Sequence, residues 1–331
     1  MKTIKLPIVP PIYATYHHQG ASSAVSCDNE SIRNWHLNTV MNLQCGTFFL
    51  TKNYSNMFMT VEKSSFKDNP CLDRRWLTAA YLKGYSNFVI KEMLKDGYCV
   101  YFNFVDDFYI EGKSFYQQRH FIDDGMIYGY DQSDKTFFIY AYDNDWRYRM
   151  FKTPQKGFED SRRSTPDAPP NFWGIKAKDV VVKLKPLDVY KNIQNYLKSS
   201  ALQQPYDREK DVRGVVVHDY VALYLEKLID GSIPYEKMDW RIFRVIWEQK
   251  TLMQERICKF EELLHLPDKI SEKYSEVVAE ANFIHMLYAS HHLKRRDNVL
   301  PIIKEKVLNI KEKEIILLTS FIRQLEEVLG I

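Results

Sequence analysis

The apolar pattern changes period near residue 186, and that change divides the chain into two unlike halves. Between residues 98 and 186 apolar side chains come in short runs rich in β-formers: YCVYFNFV (98–105), HFIDDGMIYGYD (120–131), KTFFIYAYD (135–143), YRMF (148–151) and DVVVKLKP (179–186). Short runs of β-branched and aromatic residues bounded by turn signals predict strands. DQSD separates the second run from the third as a turn, so these two form a hairpin. Residues 154–173, rich in Pro, Ser and charge, predict an exposed loop. Ahead of the strands, helices are expected over 30–44, capped by Asp28 or Asn29, and over roughly 84–96, ended by Asp96 and Gly97. Beyond 187 apolar residues recur at three and four, as in Trp240, Phe243, Ile246 and Trp247, and predict helices over 187–199, 216–230, 237–264, 268–295 and 299–329. The order predicts an α+β domain with an antiparallel sheet over 1–186, then an α-helical domain over 187–331.

Composition narrows the function. With 331 residues, the chain has room for about two domains. Its 46 basic and 43 acidic residues nearly balance, and no Lys/Arg stripe interleaves with aromatics, which argues against nucleic acid as a partner. Five cysteines, widely spaced and without C-x-x-C, fit neither a disulfide framework nor a zinc ribbon. The start MKTIKLPIVPPIYATYHH is broken by Pro7, Pro10 and Pro11 and lacks a secretory apolar core, and no stretch reaches the length of a membrane span. The expectation is a soluble cytoplasmic protein with reduced thiols and no membrane partner. G-x-G-x-x-G is absent, and the G-K-S at 112–114 lacks the first glycine of G-x-x-x-x-G-K-[ST], with Asp107 in its place, so no cofactor is expected.

The chemistry-bearing residues gather around the predicted hairpin. His120 opens its first strand and Asp143 ends its second, so antiparallel pairing predicts that the two are neighbours. A carboxylate beside an imidazole fixes its tautomer and stabilises the imidazolium, as a base and its orienter require. Asn144 is the next candidate for the third position. Cys27 precedes the first predicted helix, where the helix dipole and an imidazole would lower its pKa and make it a nucleophile; the bland alternative is a buried structural thiol. Gln19, eight residues upstream, is a candidate oxyanion donor together with the Cys27 N–H. The carboxylates Asp106, Asp107, Asp123 and Asp124 are candidates for attracting a cationic amine, or else solvated charges at a sheet edge. Cys45 and Cys99 read as core. His17 and His18 read as an exposed pair near the cleft mouth, and His291 and His292 as a solvated helix end. Lys294, Arg295 and Arg296 are candidates for docking an acidic carrier protein, or simply another solvated helix end. No metal site is expected.

The order Gln19, Cys27 before a helix, His120 opening a strand and Asp143 on the next resembles papain-like cysteine enzymes. HFIDDGMIYGYD…FFIYAYD is similar to the His and Asp strands of bacteriocin-processing peptidases and butirosin-type acyltransferases. With the helical segment DWRIFRVIWEQKTLMQER (239–256), the whole chain looks like the papain-like enzymes of peptide-antibiotic gene clusters, such as the amide-forming one of closthioamide assembly. The resemblance implies a papain-like fold and a Cys27–His120–Asp143 triad with Gln19 at the oxyanion. It also implies transfer of an acyl group from a carrier-protein thioester to an amine or diamine. A cysteine peptidase, using the same triad with water as acceptor, is the first alternative. A degenerate module that binds a carrier domain or a peptide is the second. The acyl group, the amine and the oligomeric state are not legible in the sequence.

Overall fold

A computed structural model describes residues 3–25, 29–50, 56–78, 82, 84–164, 171–199, 211–296 and 298–331. In chain order its elements are β1 (Thr3–Lys5), α1 (His17–Ala24), α2 (Glu30–Thr39), β2 (Leu43–Gly46), β3 (Thr60–Val61), β4 (Leu72–Thr78), α3 (Ser86–Lys95), β5 (Cys99–Asp106), β6 (Ile122–Asp131), β7 (Thr136–Tyr142), β8 (Tyr148–Pro154), α4 (Gln155–Arg163) and β9 (Asn171–Ala177). They continue with α5 (Pro186–Leu197), β10 (Asp211–Arg213), α6 (Val217–Ile229), α7 (Ile242–Leu264), α8 (Ile270–Lys294) and α9 (Val299–Leu329). The fold is mixed α and β, with an antiparallel sheet and a C-terminal helical region.

Two compact units result, Met1–Arg33 with Ser64–Val182, and Asn34–Lys63 with Lys183–Ile331. The expected domain 1–186 is therefore interrupted, because residues 34–63 belong with the helices. The cause is a strand pairing that no local pattern reports: β2 pairs antiparallel with β10, Cys45 opposite Val212, and β3 adds to β2.

Among the described residues, the first unit is built on a seven-stranded antiparallel sheet in the order β4-β9-β5-β6-β7-β8, with β1 also paired to β6. Alternate residues of the central strands, including Val100, Phe102, Ile127 and Ile139, enter one core with Ile90, Met93 and Leu94 of α3. Phe158 of α4 joins them, edge-on to Phe102 at 5.1 Å and to Phe137 at 5.6 Å. That burial explains why the described ends of 154–173 are not the expected loop: one amphipathic turn pattern around Phe158 forms α4, and NFWGIKA forms β9 between β4 and β5. Residues 179–186 have strand composition but find no strand partner among the described residues, and Val181 is exposed. β5 bulges between Phe102 and Val105, where Phe104 takes φ 57°. A bulge bends its strand and re-aims the side chains beyond it; in β5 it re-aims Asp106.

In the second unit α8 packs against α7 and α9, while α5 and α6 pack on α9. The expected helix 30–44 stops at Thr39, and the buried guanidinium of Arg256 on α7 donates to the carbonyls of His36, Leu37 and Val40. These are the orphan acceptors that any helix end must satisfy. α9 buries the stripe Ile303, Val307, Ile310, Glu314, Leu318 and Phe321, with a carboxylate where the spacing calls for an apolar group. Glu314 accepts from Lys250 Nζ at 2.6 Å, from Tyr196 at 2.8 Å and from Tyr274, so the buried charge is paired and its lone pairs are satisfied.

Candidate functional site

His120 stands in the connection between β5 and β6, just ahead of the strand rather than opening it. Its orienting carboxylate is Asp106, at the end of β5: His120 Nδ1 lies 2.6 Å from Asp106 Oδ2. Asp106 also accepts from the amides of Phe108 at 3.1 Å and Phe121 at 3.2 Å and from Ser164 Oγ at 3.0 Å. Burial raises its pKa, but these four hydrogen bonds outweigh burial and hold the carboxyl below the usual carboxylate range. An ionised carboxylate only accepts, so the Nδ1 of His120 is the donor and Nε2 is left as the acceptor. The Asp106 side chain is 3% exposed and that of His120 is 65% exposed, so the ring is anchored at one nitrogen and open to solvent elsewhere. Phe108 stacks on it at 4.6 Å. Phe115, Phe121 and the half-exposed Trp146 form an aromatic surface in the same region, with the Arg119 guanidinium 3.9 Å over Phe115.

Asp143 is not the partner of His120. The β6–β7 register pairs Met126 with Tyr140, and continuing it sets Asp143 opposite Asp123, short of His120. Asp143 is buried and accepts the amides of Asp145 and Arg147, both at 2.9 Å, and pairs with Arg149. It thus closes the turn between β7 and β8, as short carboxylates commonly do by bonding the chain two residues on. Asn144 donates its amide to the Gly112 carbonyl at 2.9 Å. Gln19 lies buried in α1, and its Nε2 donates to Ser64 Oγ at 2.6 Å.

Cys27 lies outside the described residues. It falls between the end of α1 and the start of α2, where Asn29 Oδ1 accepts the Ser31 amide at 2.9 Å as an N-cap. Of the other thiols, Cys45, Cys71 and Cys99 are buried, and burial raises the pKa of Cys45 and Cys71. Cys258 is partly exposed, and desolvation and then the Glu262 charge raise its pKa too.

The four carboxylates read as amine-attracting or edge charges have partners inside the protein. Lys113, with its side chain 1% exposed, bonds Asp123 at 2.5 Å and lies 3.4 Å from Asp107, while Asp124 accepts from the Tyr101 hydroxyl at 2.6 Å. For Asp107 and Asp123 the cation collected is therefore the chain's own. Burial raises the Asp107 carboxyl despite Lys113. For Asp123 burial is the largest influence and raises it, but the charge and hydrogen bond of Lys113, with His17 and the Asp124 amide, together outweigh burial and keep it low.

His17 belongs to this cluster and is not the exposed residue the sequence suggests. As the first residue of α1 it meets β6 and β7 together: Nδ1 is 3.7 Å from Asp123, and Nε2 accepts the Tyr142 amide at 3.4 Å. Burial lowers its pKa to about 4, with Asp123 opposing. The signal is present in the sequence as two acids, Asp123 and Asp124, in a run otherwise apolar enough for a buried strand.

The first unit thus holds two His–Asp arrangements, one sealed around His17 and one open at His120. Among the described residues no group of three or more His, Cys, Asp or Glu side chains is arranged to hold a metal ion, and no helix is long and apolar enough to cross a membrane. No family model and no curated protein matches the chain.

Proposed function

We propose that the chain is a papain-like, cysteine-dependent acyl transferase in which His120 is the base, Asp106 its orienter and Cys27 the nucleophile. The observation that carries the reading is the 2.6 Å bond from His120 to a buried, fully hydrogen-bonded Asp106, with the ring stacked on Phe108 and its side chain 65% exposed. That is the state a general base needs: one fixed tautomer with the other nitrogen available to a reactant. In the proposed reaction the Cys27 sulfur attacks the carbonyl of a carrier-bound acyl thioester, its proton passes to His120 Nε2, and the carrier thiol leaves with that proton. An incoming amine then attacks the acyl-enzyme, His120 takes its proton, and Cys27 is released as the amide forms. Gln19, anchored on Ser64, is the proposed oxyanion donor. The aromatic surface of Phe115, Phe121 and Trp146 would favour amine over water by excluding solvent. The reaction calls for no cofactor. If water is the acceptor instead, the same groups make a cysteine peptidase.

A second reading, a carrier- or peptide-binding module without turnover, is favoured by one observation. The helix start that packs against β6 and β7 carries His17, in a sealed ion cluster, and no thiol. Intact-protein mass spectrometry after incubation with a small acyl thioester separates the two readings. An adduct on the wild type, absent from Cys27→Ala and released by a diamine, is the expected result. Failure of every acyl thioester to label the wild type would establish the binding module in its place.

A further inference from the structure

The helical unit contains a cavity of about 640 Å³ where the end of α6, residues 230–238, the end of α8 and the start of α9 meet. That size suits a small organic ligand. Its apolar lining includes the buried Ile233, Met238 and Val299. Its polar lining is cationic. Arg295 and Arg296 both border it, and neither forms an ion pair among the described residues. Glu236 also borders it and is paired to neither guanidinium. Arg295, in the left-handed conformation that ends α8, lays its guanidinium 5.0 Å over the Tyr235 ring. Tyr235 is itself fixed, because its hydroxyl proton is shared between the carbonyls of His291 and His292, each 2.6 Å away. The platform under Arg295 is therefore set before any ligand arrives.

Two further features point into the same space. His291 is 7% exposed and lines the cavity; its Nδ1 donates to the Arg296 carbonyl at 2.7 Å, and its Nε2 has no hydrogen-bond partner among the described residues. α9 starts here without a side-chain cap, so the amides of Val299 and Leu300 bring the positive end of a 31-residue helix to the cavity wall. Two guanidinium groups without an ion pair among the described residues and uncapped amides share one complement, an oxyanion, and the apolar wall beside them fits a hydrocarbon body.

We propose that this cavity binds a small amphipathic oxyanion, a phosphate or carboxylate group carried on an apolar body. The anionic group lies between Arg295, Arg296 and the start of α9. The hydrocarbon part lies along Ile233 and Met238. The site is independent of the acyl-transfer reading, since all its residues belong to the helical unit.

Isothermal titration of the full chain with octyl phosphate, octanoate and octanol tests this. Saturable binding of at least one anion, with octanol failing to bind, is expected; whichever of the two anions binds more tightly identifies the group. In Arg295→Ala/Arg296→Ala, affinity should fall roughly tenfold or more, the scale of losing a charge-assisted hydrogen bond. Arg296→Glu should fall further through repulsion. Both arginines are exposed, so circular dichroism of these variants should match the wild type. Absence of saturable anion binding, equal affinity for octanol, or unchanged affinity in a folded double variant would each overturn the proposal.

Discussion

At the residue scale, the organising contrast is between two histidines. His120 is fixed at Nδ1 and otherwise open, whereas His17 is shut in against Tyr142 and Asp123. His120 and Asp106 are both legible in the sequence as functional candidates, but not as a pair, because their meeting depends on the β5 bulge at Phe104 and on the conformation of residues 107–121. Asp143 misleads because a strand-end acid and a turn-closing acid look alike in sequence. What separates them is register, since the β6–β7 pairing sets Asp143 opposite Asp123. Lys113 carries no signal of its own, as one lysine among many, yet it neutralises the sealed cluster between Asp107 and Asp123. Replacing it with methionine would leave the buried Asp107 and the partly buried Asp123 without a cation. Breaking a buried pair this way costs about 3–5 kcal/mol, so urea unfolding of Lys113→Met should show a loss of that order. A change under about 0.5 kcal/mol, the range of a neutral surface substitution, would show that the cluster is solvated in practice.

At the scale of elements, the helices of the second unit are readable because their period is local: the expected 299–329 is α9 and 268–295 is α8 within a residue or two, although the expected 237–264 begins ahead of α7, which starts at Ile242. β5 to β8 are equally readable from their aromatic and β-branched runs. The elements that escape a sequence reading are decided by partners distant along the chain. β9 is a strand because β4 and β5 flank it, α4 is a helix because Phe158 has a core to enter, and β2 joins the helical unit because β10 pairs with it. The docking of α4 also bears on the site, since Ser164 at its end bonds Asp106. Gly157 makes that docking close: a Cβ there would stand 2.5 Å from the Tyr109 carbonyl oxygen, in the turn just after Asp106. Gly157→Ala should therefore destabilise the first unit by about 1–3 kcal/mol, as overpacking does, despite alanine's better helix propensity. A melting temperature at or above that of the wild type would contradict this placement of α4.

At the scale of the whole molecule, each unit encloses a buried histidine. His17 in the first and His218 in the second are both lowered to about 4, chiefly by burial. Unfolded, each titrates near 6.5. Above that value neither state is protonated and the histidines cost nothing. Below it the unfolded chain takes up protons that the folded chain refuses until about pH 4, so stability falls as pH drops through that window. Thermal unfolding at pH 7.5 and pH 5 should show a lower transition at pH 5, and His17→Gln should flatten the slope. A transition rising on acidification would contradict the burial of these rings. The function proposed for the molecule rests on His120 held by Asp106. Its most direct test is the rate at which a small acyl thioester labels Cys27, measured by intact mass in the wild type, Asp106→Asn and Asp143→Asn. The account predicts labelling of the wild type and a loss on the order of 10²–10⁴-fold in Asp106→Asn, the scale of general-base catalysis. It predicts a much smaller loss in folded Asp143→Asn, whose carboxylate serves the β7–β8 turn. Labelling of Asp106→Asn at the wild-type rate, or a loss confined to Asp143→Asn, would contradict it.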